Sequence, residues 1–96
     1  MRTISRTNRF KQDYKREAQG RSSAQVRRLS DDLRVVLYAL ATDKALAPRY
    51  ADHRLRGRWE GCRDCHVRPD LVLIYRKPDQ DTLELVRLGS HSELFR

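Results

Sequence analysis

Ninety-six residues make one domain with a modest core and leave no length for a second. With 39% hydrophobic and 35% charged residues, the chain is too apolar to be wholly disordered and too polar for a membrane protein. Twenty-one Lys and Arg against 13 Asp and Glu, a formal charge of +8, favour a polyanionic partner such as nucleic acid or the ribosome over a merely well-solvated surface. The longest apolar-rich run, LVLIY, is far short of the ~20 residues that a membrane helix needs. The opening MRTISRTNRF lacks the apolar core of a signal peptide, so a cytoplasmic protein is expected. No helix pairs a basic face with a bulky aromatic one, which disfavours a membrane surface.

Residues 1–6, MRTISR, alternate weakly and suit an edge strand. From Asn8, read as an N-cap, to Gly20 as the stop, Phe10, Tyr14 and Ala18 recur on one helical face. Ser22 and Gln25 fit a capping box, and Val26, Leu29, Leu33, Val36, Leu37 and Leu40 follow at helical spacing, predicting a long amphipathic helix over 22–42. The stretch DKALAPRYADHRLRG has no sustained periodicity and reads as a connecting loop. Strands are expected over 58–67, 71–76 and 82–88, separated by RPD and KPDQD turns short enough for an antiparallel meander. The order is β-α-α-β-β-β. An α+β architecture follows, with an antiparallel sheet packed against two N-terminal helices and its other face open.

Within the first of those three strands, CRDCH (residues 62–66) matches the C-x-x-C-H attachment signature of a c-type haem. The missing signal segment argues against it, as does the lack of any methionine beyond Met1 to serve as second axial ligand. Alternation along a strand sends Cys62, Asp64 and His66 to one face and Arg63, Cys65 and Val67 to the other. Cysteines so divided are poorly placed for a zinc site or an unstrained disulfide. No metal and no cofactor is expected.

The segments DHRLRGRWEGCRDCHVRPDLVLIYR and LELVRLGSHSELF resemble the YafQ-like branch of the RelE superfamily of bacterial toxins. Its pattern runs D-H-x-L-x-G-x-W-x-G-x-R-D-x-H-V-x-P-D and closes R-x-G-x-H-x-x-L-F. The agreement covers residues 50–95, and Cys62 and Cys65 occupy positions that the pattern leaves open. The resemblance implies a RelE-like fold and a metal-independent mRNA endoribonuclease acting in the A site of the 70S ribosome, in contact with rRNA and mRNA. It also implies a cognate antitoxin from the same operon that holds the toxin inactive in a heteromeric complex. Cleavage in the family is attack by the RNA's own 2′-hydroxyl, leaving a 2′,3′-cyclic phosphate or its opened product.

That chemistry needs a proton acceptor for the 2′-hydroxyl, a proton donor for the 5′-oxygen, and positive charge for the phosphorane, roles suited to histidine and arginine. Carried over position by position, the resemblance marks His53, His66, Asp70, Arg87 and His91 as catalytic, with His91 favoured as the acid. Phe95 is expected to stack on an mRNA base and Asp64 to contact substrate or to orient His66. His53, His66, Asp70, Arg87 and Phe95 have bland counterparts, in that order a loop histidine, a hydrogen-bonded strand histidine, a turn aspartate after Pro69, a solvated strand arginine, and a C-terminal core plug. Trp59 and Gly57 match the pattern too, as a packing anchor and a turn. Leu71 stands where relatives commonly have tryptophan, which removes any aromatic contact made there. The competing class is a non-catalytic nucleic-acid-binding or partner-scaffold protein of the RelE fold.

Overall fold

Phe10 and Tyr14 on one helix, and Leu29, Leu33, Val36 and Leu40 on the next, each form an apolar stripe, and both stripes turn to the same side of one sheet. The computed structural model describes all of residues 1–96. Strand β1 (Thr3–Arg6) leads into α1 (Asn8–Ala18) and α2 (Ser23–Ala41). Then come β2 (His53–Arg54), β3 (Arg63–Arg68), β4 (Leu71–Asp79), β5 (Thr82–Gly89) and a one-turn helix α3 (His91–Leu94).

The N-cap of α1 is Thr7, not Asn8. Its Oγ1 accepts from Phe10 N at 3.0 Å and donates to Val86 O at 2.8 Å, which ties the helix start to β5 as well as closing it. The α2 capping box forms as expected, with Ser22 N donating to Gln25 Oε1 at 2.8 Å and Gln25 N to Ser22 Oγ at 3.2 Å. Strand β3 begins at Arg63 rather than 58, because Gly57–Trp59 is a 3-10 turn and Gly61 has φ +86°, a left-handed conformation that breaks the extended run. Strand β4 outlasts its expected end and takes in Pro78, which is tolerated because the β3–β4 pairing ends at Tyr75.

The sheet order is β1-β5-β4-β3-β2. Strands β3, β4 and β5 form the expected antiparallel meander, but β1 pairs with β5 in parallel, so the five-stranded sheet is mixed. The segment read as a plain loop holds a 3-10 turn at Pro48–Tyr50 and strand β2, which pairs antiparallel with β3.

Two apolar clusters flank the sheet. The larger lies under the helices and includes Cys65, Val67, Leu73, Tyr75, Leu83, Leu85 and Leu88. The smaller joins Leu55, Cys62, Val72, Ile74 and Leu94, with Trp59, Val86 and Phe95 at its margin. The face expected to be open is thus partly covered, by residues 55–62 and by α3. Complete burial of Leu94 (0% exposed) contributes about 2 kcal/mol and pins α3 to that face. Cys62 and Cys65 are free buried thiols in different clusters, on opposite sides of the sheet as strand alternation requires.

Candidate active site

Strand register assembles the site. His53 pairs with Asp64, Asp64 with Ile74, and Ile74 with Arg87, so these four residues form one row across four strands and share a face. The adjacent row on that face runs His66, Val72, Gly89. His91 follows Gly89 by two residues as the first residue of α3. With strands about 4.8 Å apart, the backbones of His53 and Arg87 stand roughly 14 Å apart.

His53 Nδ1 lies 2.9 Å from Ala51 O and 2.9 Å from Asp64 Oδ1. Two oxygens so close require a proton on Nδ1, which leaves the lone pair of the neutral ring on Nε2. The N–H is aligned on the Ala51 carbonyl, so Asp64 is a charge neighbour of His53 rather than its aligned acceptor. His66 Nδ1 lies 3.3 Å from Pro69 O, which selects the same tautomer. The His91 ring is exposed and rests against Phe95, with centroids 4.7 Å apart and planes tilted by 42°.

Asp64, expected at the substrate, is only 2% exposed and sits behind His53. Burial raises its pKa, and His53, His66 and His91 all pull in the opposite direction, so the three histidines lie within electrostatic reach of this one carboxylate. Asp70 is exposed in the turn between β3 and β4, beside the Pro69 carbonyl that faces His66. Phe95 is half-buried at the edge of the smaller apolar cluster, so it also does what a core plug does.

Arg87 is not a solvated strand arginine. Its Nε donates to Asp13 Oδ2 at 2.7 Å and its Nη2 to Asp13 Oδ1 at 3.3 Å. Sequence reasoning missed Asp13, although an acid three residues after Phe10 on the buried stripe of α1 signals a charge in need of a partner. Burial by itself raises the Asp13 pKa, but hydrogen bonds from Arg87, Leu88 N and Arg16 outweigh it and hold the carboxyl below its ordinary value.

A hollow of about 370 Å³ adjoins His66, lined by Arg49, Tyr50, Arg68 and Pro69. The larger one, about 800 Å³, lies away from the histidines between the helices and β1. No three His, Cys, Asp or Glu side chains converge in a way that would hold a metal ion, and no helix is long and apolar enough to cross a membrane.

The model of a family described as bacterial toxin of type II toxin-antitoxin system, YafQ, matches residues 2–96. The chain belongs to the YafQ family. Its architecture is the RelE-like one seen in solved YafQ structures. The mRNA interferase toxin YafQ of Escherichia coli strain K12 is 50% identical over 46 residues, 48% of this chain and 49% of that protein. The matched region thus spans about half the length of that curated relative. Among solved structures, a metal-bound toxin from Helicobacter pylori is 43% identical with a TM-score of 0.81, covering 99% of this chain and 100% of that one. YafQ in the Escherichia coli DinJ-YafQ complex is 31% identical with a TM-score of 0.80, covering 100% of both chains.

Proposed function

We propose that this YafQ family member is an mRNA endoribonuclease that cuts mRNA in the ribosomal A site in the cytoplasm, without a metal, and is neutralised by a cognate antitoxin. The observation that carries the reading is that His53, Asp64 and Arg87 share one row of a sheet face, with His66 in the adjacent row and His91 opening α3 two residues beyond that row's Gly89. The name mRNA interferase borne by the Escherichia coli relative supports it, and the DinJ-YafQ complex supports an antitoxin partner.

In the proposed reaction, Nε2 of His53 takes the proton of the 2′-hydroxyl as that oxygen bonds to the adjacent phosphorus. Arg87 offsets the added negative charge of the phosphorane. The phosphorus–5′-oxygen bond then breaks, and protonated His91 gives its proton to the leaving oxygen. A 2′,3′-cyclic phosphate and a 5′-hydroxyl result. Asp64 stabilises the imidazolium formed on His53, His66 and Asp70 flank the phosphate, and Phe95 backs His91 and offers its free edge to a base.

Ribosome dependence is supported by the spread of these groups and by the charge of the chain. The backbones of His53 and Arg87 stand roughly 14 Å apart, so the groups must be brought onto one phosphate together, and alignment is a large part of the rate available. The ribosome would supply it, drawn by the +8 charge of the chain. Cleavage of one mRNA with and without programmed ribosomes tests this. Rapid cutting on the ribosome and slow cutting of free mRNA are expected, and equal rates would refute ribosome dependence.

A further inference from the structure

Asp13 and Asp64 are the two buried charged residues of the chain, and Asp13 has no role in the reaction above. It is 3% exposed and lies on α1, where it meets β5 just beyond the end of β1. The last β1–β5 pair is Arg6 with Leu85, so Leu88 N has no strand partner from β1. Asp13 Oδ2 takes that N–H at 2.9 Å and also accepts from Arg87 Nε at 2.7 Å. Asp13 Oδ1 accepts from Arg87 Nη2 at 3.3 Å and from Arg16 Nη1 at 2.9 Å. Arg16 is itself fixed, since its Nη2 donates to Leu88 O at 2.9 Å.

The fork of Arg87 is therefore divided. Its Nε and Nη2 edge is held by a buried carboxylate, and Nη1 makes no hydrogen bond within the chain. An arginine with no such anchor samples many rotamers, whereas two charge-assisted bonds on one edge fix both its reach and its plane.

We propose that Asp13 is a positioning residue that acts through Arg87, holding the guanidinium so that Nη1 meets the reacting phosphate. This rests on the reading of Arg87 as catalytic. Single-turnover cleavage of ribosome-bound mRNA by the wild type, Asp13→Asn, Arg87→Ala and the double variant tests it, with thermal unfolding measured alongside. Asp13→Asn is expected to lower the rate at saturating toxin by up to about 10²-fold while the half-saturating concentration stays near that of the wild type, because the basic surface is unchanged. The double variant is expected to be no slower than Arg87→Ala alone, because the aspartate acts only through the arginine.

Wild-type cleavage by Asp13→Asn beside a crippled Arg87→Ala overturns the positioning role alone, as do losses that multiply in the double variant. Wild-type cleavage by Arg87→Ala removes the catalytic reading of Arg87, and the positioning role with it. Should Asp13→Asn fail to fold, exchange of the Arg87 Nε–H in the wild type decides. A resolved, slowly exchanging resonance at neutral pH is expected, and rapid exchange overturns the anchoring.

Discussion

Asp64→Asn is expected to make the protein more stable and less active at once. The wild-type carboxyl is 2% exposed, its Oδ1 receives no aligned hydrogen bond, and burial raises its pKa in spite of three histidines pulling the other way. A buried polar atom without a partner costs about 1–3 kcal/mol. Because the folded pKa lies above the ordinary 3.8, the native state binds this proton more tightly than the unfolded one. Stability from this group is therefore fully present below 3.8 and is lost as pH rises through the folded value. At neutral pH the wild type carries that loss and the amide does not. A gain of about 1 kcal/mol raises Tm by roughly 4–8 °C in a chain of this size, and the difference should shrink as pH falls toward 3.8. Cleavage should fall by about 10²- to 10⁴-fold, because the imidazolium formed on His53 loses its anionic neighbour. Circular dichroism melts at neutral and acidic pH, paired with ribosome-programmed cleavage, measure both halves. A variant that melts lower and cuts like the wild type would refute the account of Asp64.

Further outcomes bear on other parts of the structure. His66→Ala and His91→Ala should each slow cleavage by about 10²- to 10⁴-fold while still binding ribosomes, and loss of binding instead would make them contact residues. Cys62→Ser combined with Cys65→Ala should leave cleavage largely intact, since neither thiol has a role in the proposed reaction. In the wild type, Cys65 is fully buried with its pKa pushed up to about 12, so it should resist alkylation at neutral pH until the protein unfolds. Leu29→Ala, at a position 1% exposed between α2 and the sheet, should cost 2–5 kcal/mol in chemical denaturation. Expression alone should arrest bacterial growth and co-expression of the cognate antitoxin should relieve it. Normal growth with abundant soluble toxin would count against the proposed function.

Helix α2 was legible because its start and its buried stripe agree: the Ser22–Gln25 box and the leucine spacing point to one answer. Strand β2 was not, since two residues are too few to show alternation, and only its partner strand holds it in place. The parallel pairing of β1 is equally invisible to local pattern, because it joins Thr3 to Thr82. Helix α3 left a signal that went unread: Ser90-x-x-Glu93 is a capping box, and in the fold it closes as one. In the site, alternation along β3 correctly put Asp64 and His66 on one face and split the two cysteines. What brings His53 and Arg87 into the same row is register across four strands, and no spacing along the chain encodes that. Asp13 is the extreme case, 74 residues from the arginine it holds. Burial also bears on Asp64, which shares a strand face with His66 as expected but is only 2% exposed.

The central claim is that the RNA's own 2′-hydroxyl makes the cut while histidines move the protons. It is tested most directly with ribosomes programmed with two mRNAs that differ in one atom: an ordinary nucleotide, or its 2′-deoxy counterpart, on the 5′ side of the scissile phosphate. The ordinary mRNA should be cut to a product ending in a 2′,3′-cyclic phosphate or its opened form, and the 2′-deoxy mRNA should stay whole at that position. Cleavage of both at similar rates would contradict the mechanism, because the nucleophile would then have to come from water or from the protein.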